Sequence, residues 1–240
     1  MSNFSFSEKN FFYYFNELRN RLIKSLLSIS IIFLSLLPFS NFFYKLLALP
    51  LIKQLPIGSH LIATNLMSPL TIPLKLLFLL SIFFAIPILL YQIWQFLAPA
   101  LYKNEKKLFL MTFPLSLLLF YLGVLFAYCI IFPLLFKFLI QTVPTGISIS
   151  PDISEYLDLT LQLFLIFGFL FQTPLFIILL TSTKIITLDK LTNNRSYFFV
   201  ASFFIAMIFS PPDVISQILF AIPLYILFEI GIFLAKWVNH

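Results

Sequence analysis

Between residues 109 and 136 the chain carries no charged side chain. As an α-helix rising ~1.5 Å per residue, a run of that length exceeds the ~30 Å hydrocarbon core of a bilayer. Five more apolar segments lie near 22–39, 74–97, 156–181, 196–210 and 215–235, bounded by charges or turn residues. The chain is 61% hydrophobic and 10% charged, with a mean hydropathy of +1.04, whereas a soluble domain carries about a quarter charged residues. It cannot cover its apolar surface with polar groups, so the bilayer must be its solvent. The expectation is an all-α integral membrane protein, a single domain over residues 1–240 with six transmembrane helices, several of them Pro-kinked.

Two spans look short. Arg195 precedes the fifth and Pro211-Pro212 closes it, while Pro223 breaks the sixth. A span shorter than the bilayer thins the membrane locally or is shielded by neighbouring helices.

The basic residues set the sidedness. With six spans, the N-terminus, the loops after spans two and four, and the C-terminus share one face. That face collects 11 of the 15 Lys and Arg residues: Lys9, Arg19, Arg21, Lys24, Lys103, Lys106, Lys107, Lys184, Lys190, Arg195 and Lys236. Lys45, Lys53, Lys75 and Lys137 lie toward the other face. The positive-inside rule puts both termini in the cytoplasm. The outer loops collect Asp152, Glu155, Asp158 and Asp213 instead. No cleavable signal peptide is evident.

Other function classes find little support. Cys129 is the one cysteine, and His60 and His240 lack partners at metal-ligand spacing. No Gly-rich phosphate loop occurs among five glycines. The net charge of +6 is explained by basic loops on one membrane face rather than by nucleic acid. No cofactor, metal or covalent chemistry is expected. The 33 phenylalanines read as apolar residues that lipid accepts freely.

Polar residues inside or beside the spans narrow the reading. Glu17 and Arg21 stand four apart and would form an i,i+4 pair worth ~0.3–0.5 kcal/mol on an exposed helix. Leu18, Leu22 and Leu26 share a face of the same helix, which suits an interfacial lead into span one. Pro99 ends span two, and Glu105 opens the next helix among Lys103, Lys106 and Lys107. An acid in a first turn gains ~0.3–1 kcal/mol from the helix dipole. Trp94, Phe96, Leu101 and Tyr102 place an aromatic-aliphatic strip beside it, which a lipid-facing aromatic belt also explains. Gln172, two residues before Pro174, needs a partner within span four: the backbone that Pro174 leaves unpaired, or a polar group on another helix. Glu229 costs ~2.5–3.5 kcal/mol if ionised at a helix centre, and exposure near the cytoplasmic interface is its cheaper explanation. Asp213 caps the start of span six after Pro211-Pro212. On these residues alone, a small-solute secondary transporter with Gln172 and Glu229 lining its site stands as a rival to a receptor, and a passive assembly scaffold as a third reading.

NELRNRL at 16–22, ALPLIKQLP at 48–56, APALYKNEKK at 98–107, SPPDVISQ at 210–217 and AIPLYILFEIG at 221–231 together resemble the TatC family, the multispanning receptor subunit of the twin-arginine protein translocase. The resemblance covers essentially the whole chain. It implies a bacterial inner-membrane protein that binds twin-arginine signal peptides of folded cargo on its cytoplasmic face. It further implies recruitment of the single-span subunits TatB and TatA, assembly with other TatC copies, and transport driven by the proton-motive force. By this similarity Glu17, Arg19, Phe96, Pro99, Leu101, Tyr102 and Glu105 form the signal-peptide surface. A guanidinium makes bidentate hydrogen bonds with a carboxylate that lysine does not reproduce. The neighbouring lysines would oppose a cationic signal and are read as holders of anionic membrane lipids. Met207, Ser210 and Gln217 match the region of partner contact, and Pro50 and Asp213 belong to an outer cap. Family members commonly carry a glutamate where this chain has Gln172, so polar lining or a hydrogen bond to a partner helix is expected there rather than titration.

Overall fold

In a computed structural model of the chain, residues 4–40, 42–43, 67–101, 105–141, 152–209 and 213–238 are described. Among them every regular element is helical. Five helical stretches are long and apolar enough to cross a membrane: Phe15–Phe39, Thr71–Phe96, Thr112–Leu135, Ile153–Ser182 and Val214–Val238. A shorter apolar helix, Arg195–Phe209, completes the set.

The helices fall into two compact units. The first contains α1 (Phe4–Leu36), α2 (Ser68–Leu101) and the start of α3 (Glu105–Phe126) as far as Phe113. The expected interfacial lead and first span form one continuous helix, which packs along α2. Leu18, Leu22 and Leu26 lie on its exposed side. On α2, Leu76, Leu77, Ala85 and Ile86 are almost wholly enclosed. Helix α2 runs through Pro99 to Leu101, so Pro99 does not end the helix, although the membrane-capable stretch stops at Phe96. A proline removes one N–H and disfavours helix in the residue before it, but a packed helix can absorb both.

Among the described residues the second unit begins at Pro114, within α3. Helix α3 passes through a π-helical turn at Ala127–Ile131 into α4 (Phe132–Gln141). Then come α5 (Ile153–Leu170), α6 (Thr173–Ser182), α7 (Leu188–Asn193), α8 (Arg195–Phe209) and α9 (Val214–Val238). Helix α9 packs against α6, α7 and α8. Asp152 caps α5 by accepting from Ser154 N at 2.7 Å, and Asp213 caps α9 by accepting from Ser216 N at 2.7 Å. The capping role expected of Asp213 is therefore present.

The segment expected as the sixth span is not short. Helix α9 has 25 residues and carries Pro223 inside it without a break, giving ~37 Å at ~1.5 Å per residue. The fourth span is the interrupted one, with a turn at Phe171 and Gln172 between α5 and α6. Pro174 lacks the N–H that would bond the Leu170 carbonyl, and the Thr173 hydroxyl donates to that carbonyl at 2.6 Å instead.

Small residues allow the close approach of α3 and α5. Gly123 faces the backbone of Phe167, and Gly168 faces the ring of the fully buried Phe120. A Cβ at Gly123 would lie 2.9 Å from the Phe167 carbonyl carbon and 3.0 Å from Phe171 Cβ. The obstacle is main chain, which cannot swing aside. Gly→Ala in a free helix gains ~0.5–1 kcal/mol, but overpacking costs ~1–3 kcal/mol, so the clash decides the sign. We expect Gly123→Ala to destabilise the detergent-solubilised protein by about 1–2 kcal/mol, read as a lowered thermal or denaturant midpoint. An unchanged or raised midpoint would show that this contact is not tight.

Candidate functional site

In the first unit, the four-residue spacing of Glu17 and Arg21 on α1 does produce the expected pair. Arg21 Nε donates to Glu17 Oε1 at 3.0 Å, and Nη2 donates to the same oxygen. The pair does not stand alone. Arg21 Nη1 donates to Gln95 Oε1 at 2.8 Å and to Gln92 Oε1 at 3.4 Å, and Nη2 reaches the Gln95 carbonyl at 3.4 Å. Gln92 and Gln95 are three apart and so share a face of α2. The side chains of Arg21 and Glu17 are only 15% and 23% accessible. A local ion pair has become a tie between α1 and α2.

The remaining expected signal-surface residues fall in or beside this unit. Arg19 is exposed and Phe96 half-buried. Pro99 and Leu101 lie in the last turn of α2, and Glu105 is the first residue of α3. Tyr102 lies outside the described residues, as do Pro50 and Ser210. Trp94 is buried at 5% exposure, so it is packing rather than part of an open strip. Its position on α2 puts it two residues from Phe96, and on a helix such neighbours point to different sides.

In the second unit, Gln172 is 4% exposed and pairs twice with one residue of another helix. Its Oε1 accepts from Ser116 Oγ at 3.0 Å, and its Nε2 donates to the Ser116 carbonyl at 2.8 Å. Of the two partners open to Gln172, the neighbouring helix is the one used. Glu229 also has partners beyond solvent. Its Oε2 lies 3.1 Å from Arg195 Nη2, and its Oε1 accepts from Tyr225 Oη at 3.0 Å. At 33% side-chain accessibility it is partly exposed as well. Met207 is 60% exposed on α8, while Gln217 Nε2 donates to the Phe203 carbonyl at 3.1 Å, tying α9 to α8.

A cavity of about 240 Å³ lies among Leu135, Leu159, Leu163, Ile208, Phe209 and Phe220, with Gln162 the one polar side chain among the described residues that line it. Neither Gln172 nor Glu229 lines it. Each of those two residues is committed to its own partners, so they do not converge on a solute site.

A family model described as Sec-independent protein translocase protein (TatC) matches residues 13–223. The chain belongs to the TatC family. It is 49% identical over 224 residues to the Sec-independent protein translocase protein TatC of Haemophilus influenzae, covering 92% of this chain and 86% of the relative. It is 46% identical over 221 residues to the TatC protein of Escherichia coli K12, with the same coverage. A solved structure described as a crystal structure of the twin-arginine translocase receptor TatC superposes with a TM-score of 0.83. That match has 38% identity and covers 95% of this chain and 100% of the other. The chain is thus a multi-pass membrane component of a protein-transport family.

Three links escaped the sequence reading: Arg21 to Gln92 and Gln95, Gln172 to Ser116, and Arg195 to Glu229. The last had a readable signal, because Arg195 and Glu229 fall toward the same membrane face under the basic-residue count. The other two had none, since Gln and Ser are common and their partners are distant in sequence.

Ser116→Ala removes the donor to a buried amide oxygen while keeping the backbone acceptor. Interhelical bonds in membrane proteins average ~0.6 kcal/mol with a maximum near ~1.7. We expect a loss of about 1 kcal/mol. Combining it with Gln172→Leu should cost less than the sum of the two single changes in a thermal double-mutant cycle. Strict additivity would show that the pair is not energetically coupled.

Proposed function

We propose that the chain is the receptor core of the twin-arginine translocase and binds twin-arginine signal peptides of folded proteins on its cytoplasmic face. The observation that carries this reading is the Glu17 carboxylate, which already accommodates a guanidinium at the head of the chain. An arriving arginine would meet a site whose geometry suits a planar fork. Glu105, opening α3 in the same unit, is the second acid. Phe96, Pro99, Leu101 and Tyr102 offer the apolar portion of the signal a surface, with Arg19 at its edge. Lys103, Lys106 and Lys107 hold anionic headgroups, which keeps this loop at the interface.

The chain functions as a single six-span domain of the bacterial inner membrane with both termini cytoplasmic. Support for the sidedness comes from the 11-to-4 division of basic residues. Helix α8 is the fifth span, and its 15 residues reach only ~22 Å, a length that favours local thinning of the bilayer during passage of folded cargo. TatA and TatB dock their single spans beside Met207, Ser210 and Gln217, and further TatC copies complete the complex. Asp213 and Pro50 support the outer cap. The chain itself performs no covalent chemistry, and the proton-motive force drives transport.

A photo-crosslinker at position 105 in the assembled translocase tests the docking step. Twin-arginine signal peptides should label more strongly than their Lys-Lys counterparts, and equal labelling would remove the carboxylate-fork mechanism. In the same assay Glu105→Gln should weaken docking more than Glu17→Gln, because Glu17 already shares one oxygen with Arg21. The reverse ranking would contradict that division of labour.

A further inference from the structure

Arg21 is saturated. A guanidinium has five N–H donors, and five contacts account for them. Nε and Nη2 donate to Glu17 Oε1, Nη1 to Gln95 Oε1 and Gln92 Oε1, and Nη2 again to the Gln95 carbonyl. Both Glu17 contacts fall on one carboxylate oxygen. The chain therefore holds its own guanidinium in the group assigned above to an incoming arginine.

From this we infer that Arg21 masks Glu17 and sets the affinity threshold of the site, holding the carboxylate until a signal-peptide arginine exchanges with it. The inference rests on the reading of Glu17 as an arginine receptor. Withdrawing Arg21 from Glu17 breaks two charge-assisted hydrogen bonds. An incoming guanidinium restores two with its planar fork, so the exchange is close to balanced. An incoming ammonium is a compact point charge without that geometry and leaves a deficit.

The two glutamines make such an exchange practicable. On leaving Glu17, Arg21 keeps Nη1 on Gln95 and Gln92, so its charge is not abandoned at the membrane edge. A more weakly anchored side chain would swing into solvent and compete poorly. The enclosure of the pair, at 15% and 23% accessibility, further separates it from an ordinary solvated i,i+4 pair.

The test uses the full-length chain in its assembled receptor complex, with labelled twin-arginine and twin-lysine signal peptides and equilibrium binding as the readout. Glu17→Gln in the otherwise wild-type chain comes first. If it leaves twin-arginine binding untouched, the assignment of Glu17 itself fails. If it weakens binding, the Arg21 variants become decisive. Arg21→Gln leaves Glu17 unoccupied, and both peptides should bind roughly tenfold tighter, about the worth of one charge-assisted hydrogen bond. Each peptide is relieved of the same displacement, so the Arg-Arg to Lys-Lys ratio should stay as it is in the wild type. Arg21→Lys keeps the charge and supplies a weaker occupant, so its affinities should lie between those of the wild type and Arg21→Gln. It also serves where Arg21→Gln does not fold. Unchanged or weaker binding of both peptides in the variants that fold would overturn the inference.

Discussion

Hydrocarbon supplies no hydrogen bonds, and each polar group carried into it must be answered from within the protein. The described helices meet this demand mainly with short local bonds. Ser28, Ser81, Thr160, Thr181 and Ser202 each donate to a carbonyl three or four residues earlier on their own helix. Thr173 does the same for the carbonyl that Pro174 cannot serve. Gln172 is too long and has too many hydrogen-bonding sites for that solution. It reaches across to Ser116, and the pair holds the interrupted fourth span to α3.

Charge is handled differently, by pairing between helices. Arg21 and Glu17 join α1 to α2, and Arg195 and Glu229 join the start of α8 to the later turns of α9. The second link matters because α8 buries only Ser202 and Ala206. Ring contacts add to it: Phe198 stacks on Phe228 at 3.9 Å, and Phe199 meets Tyr225 edge-on at 5.3 Å. Aromatic pairs of this kind contribute ~0.5–1.5 kcal/mol beyond their area. A short apolar helix with few enclosed side chains is thus fastened at its head, and Gln217 bonds the Phe203 carbonyl farther along. Its remaining face is apolar and open, with Tyr197, Phe204, Met207 and Ile208 all well exposed, as suits a surface that meets lipid or another span.

Proline marked where the local reading was least dependable. Pro99 and Pro223 looked like ends or breaks, yet α2 and α9 continue through them. Beside Pro174 the helix does turn, with the break at Phe171 and Gln172. The residue type is the same in all three cases. The outcome depends on whether neighbouring groups satisfy the freed carbonyl and whether packing favours a straight or a bent path, and those are tertiary facts.

Sequence by itself determined that this chain lives in a bilayer, that its spans are helical, and that its family is TatC. Hydrocarbon thickness and apolar length are both measured along one dimension, so they can be read residue by residue. The same is true of the Glu17–Arg21 pair and the Asp213 cap, whose partners lie three or four residues away. Only the tertiary structure decided that Arg21 is held by glutamines 71 and 74 residues on, and that Gln172 is answered by Ser116 across 56 residues. Such pairings depend on which helix faces turn toward each other. That is settled by the packing of whole surfaces, including the fit of Gly123 and Gly168 against α5 and α3, and no local pattern encodes it.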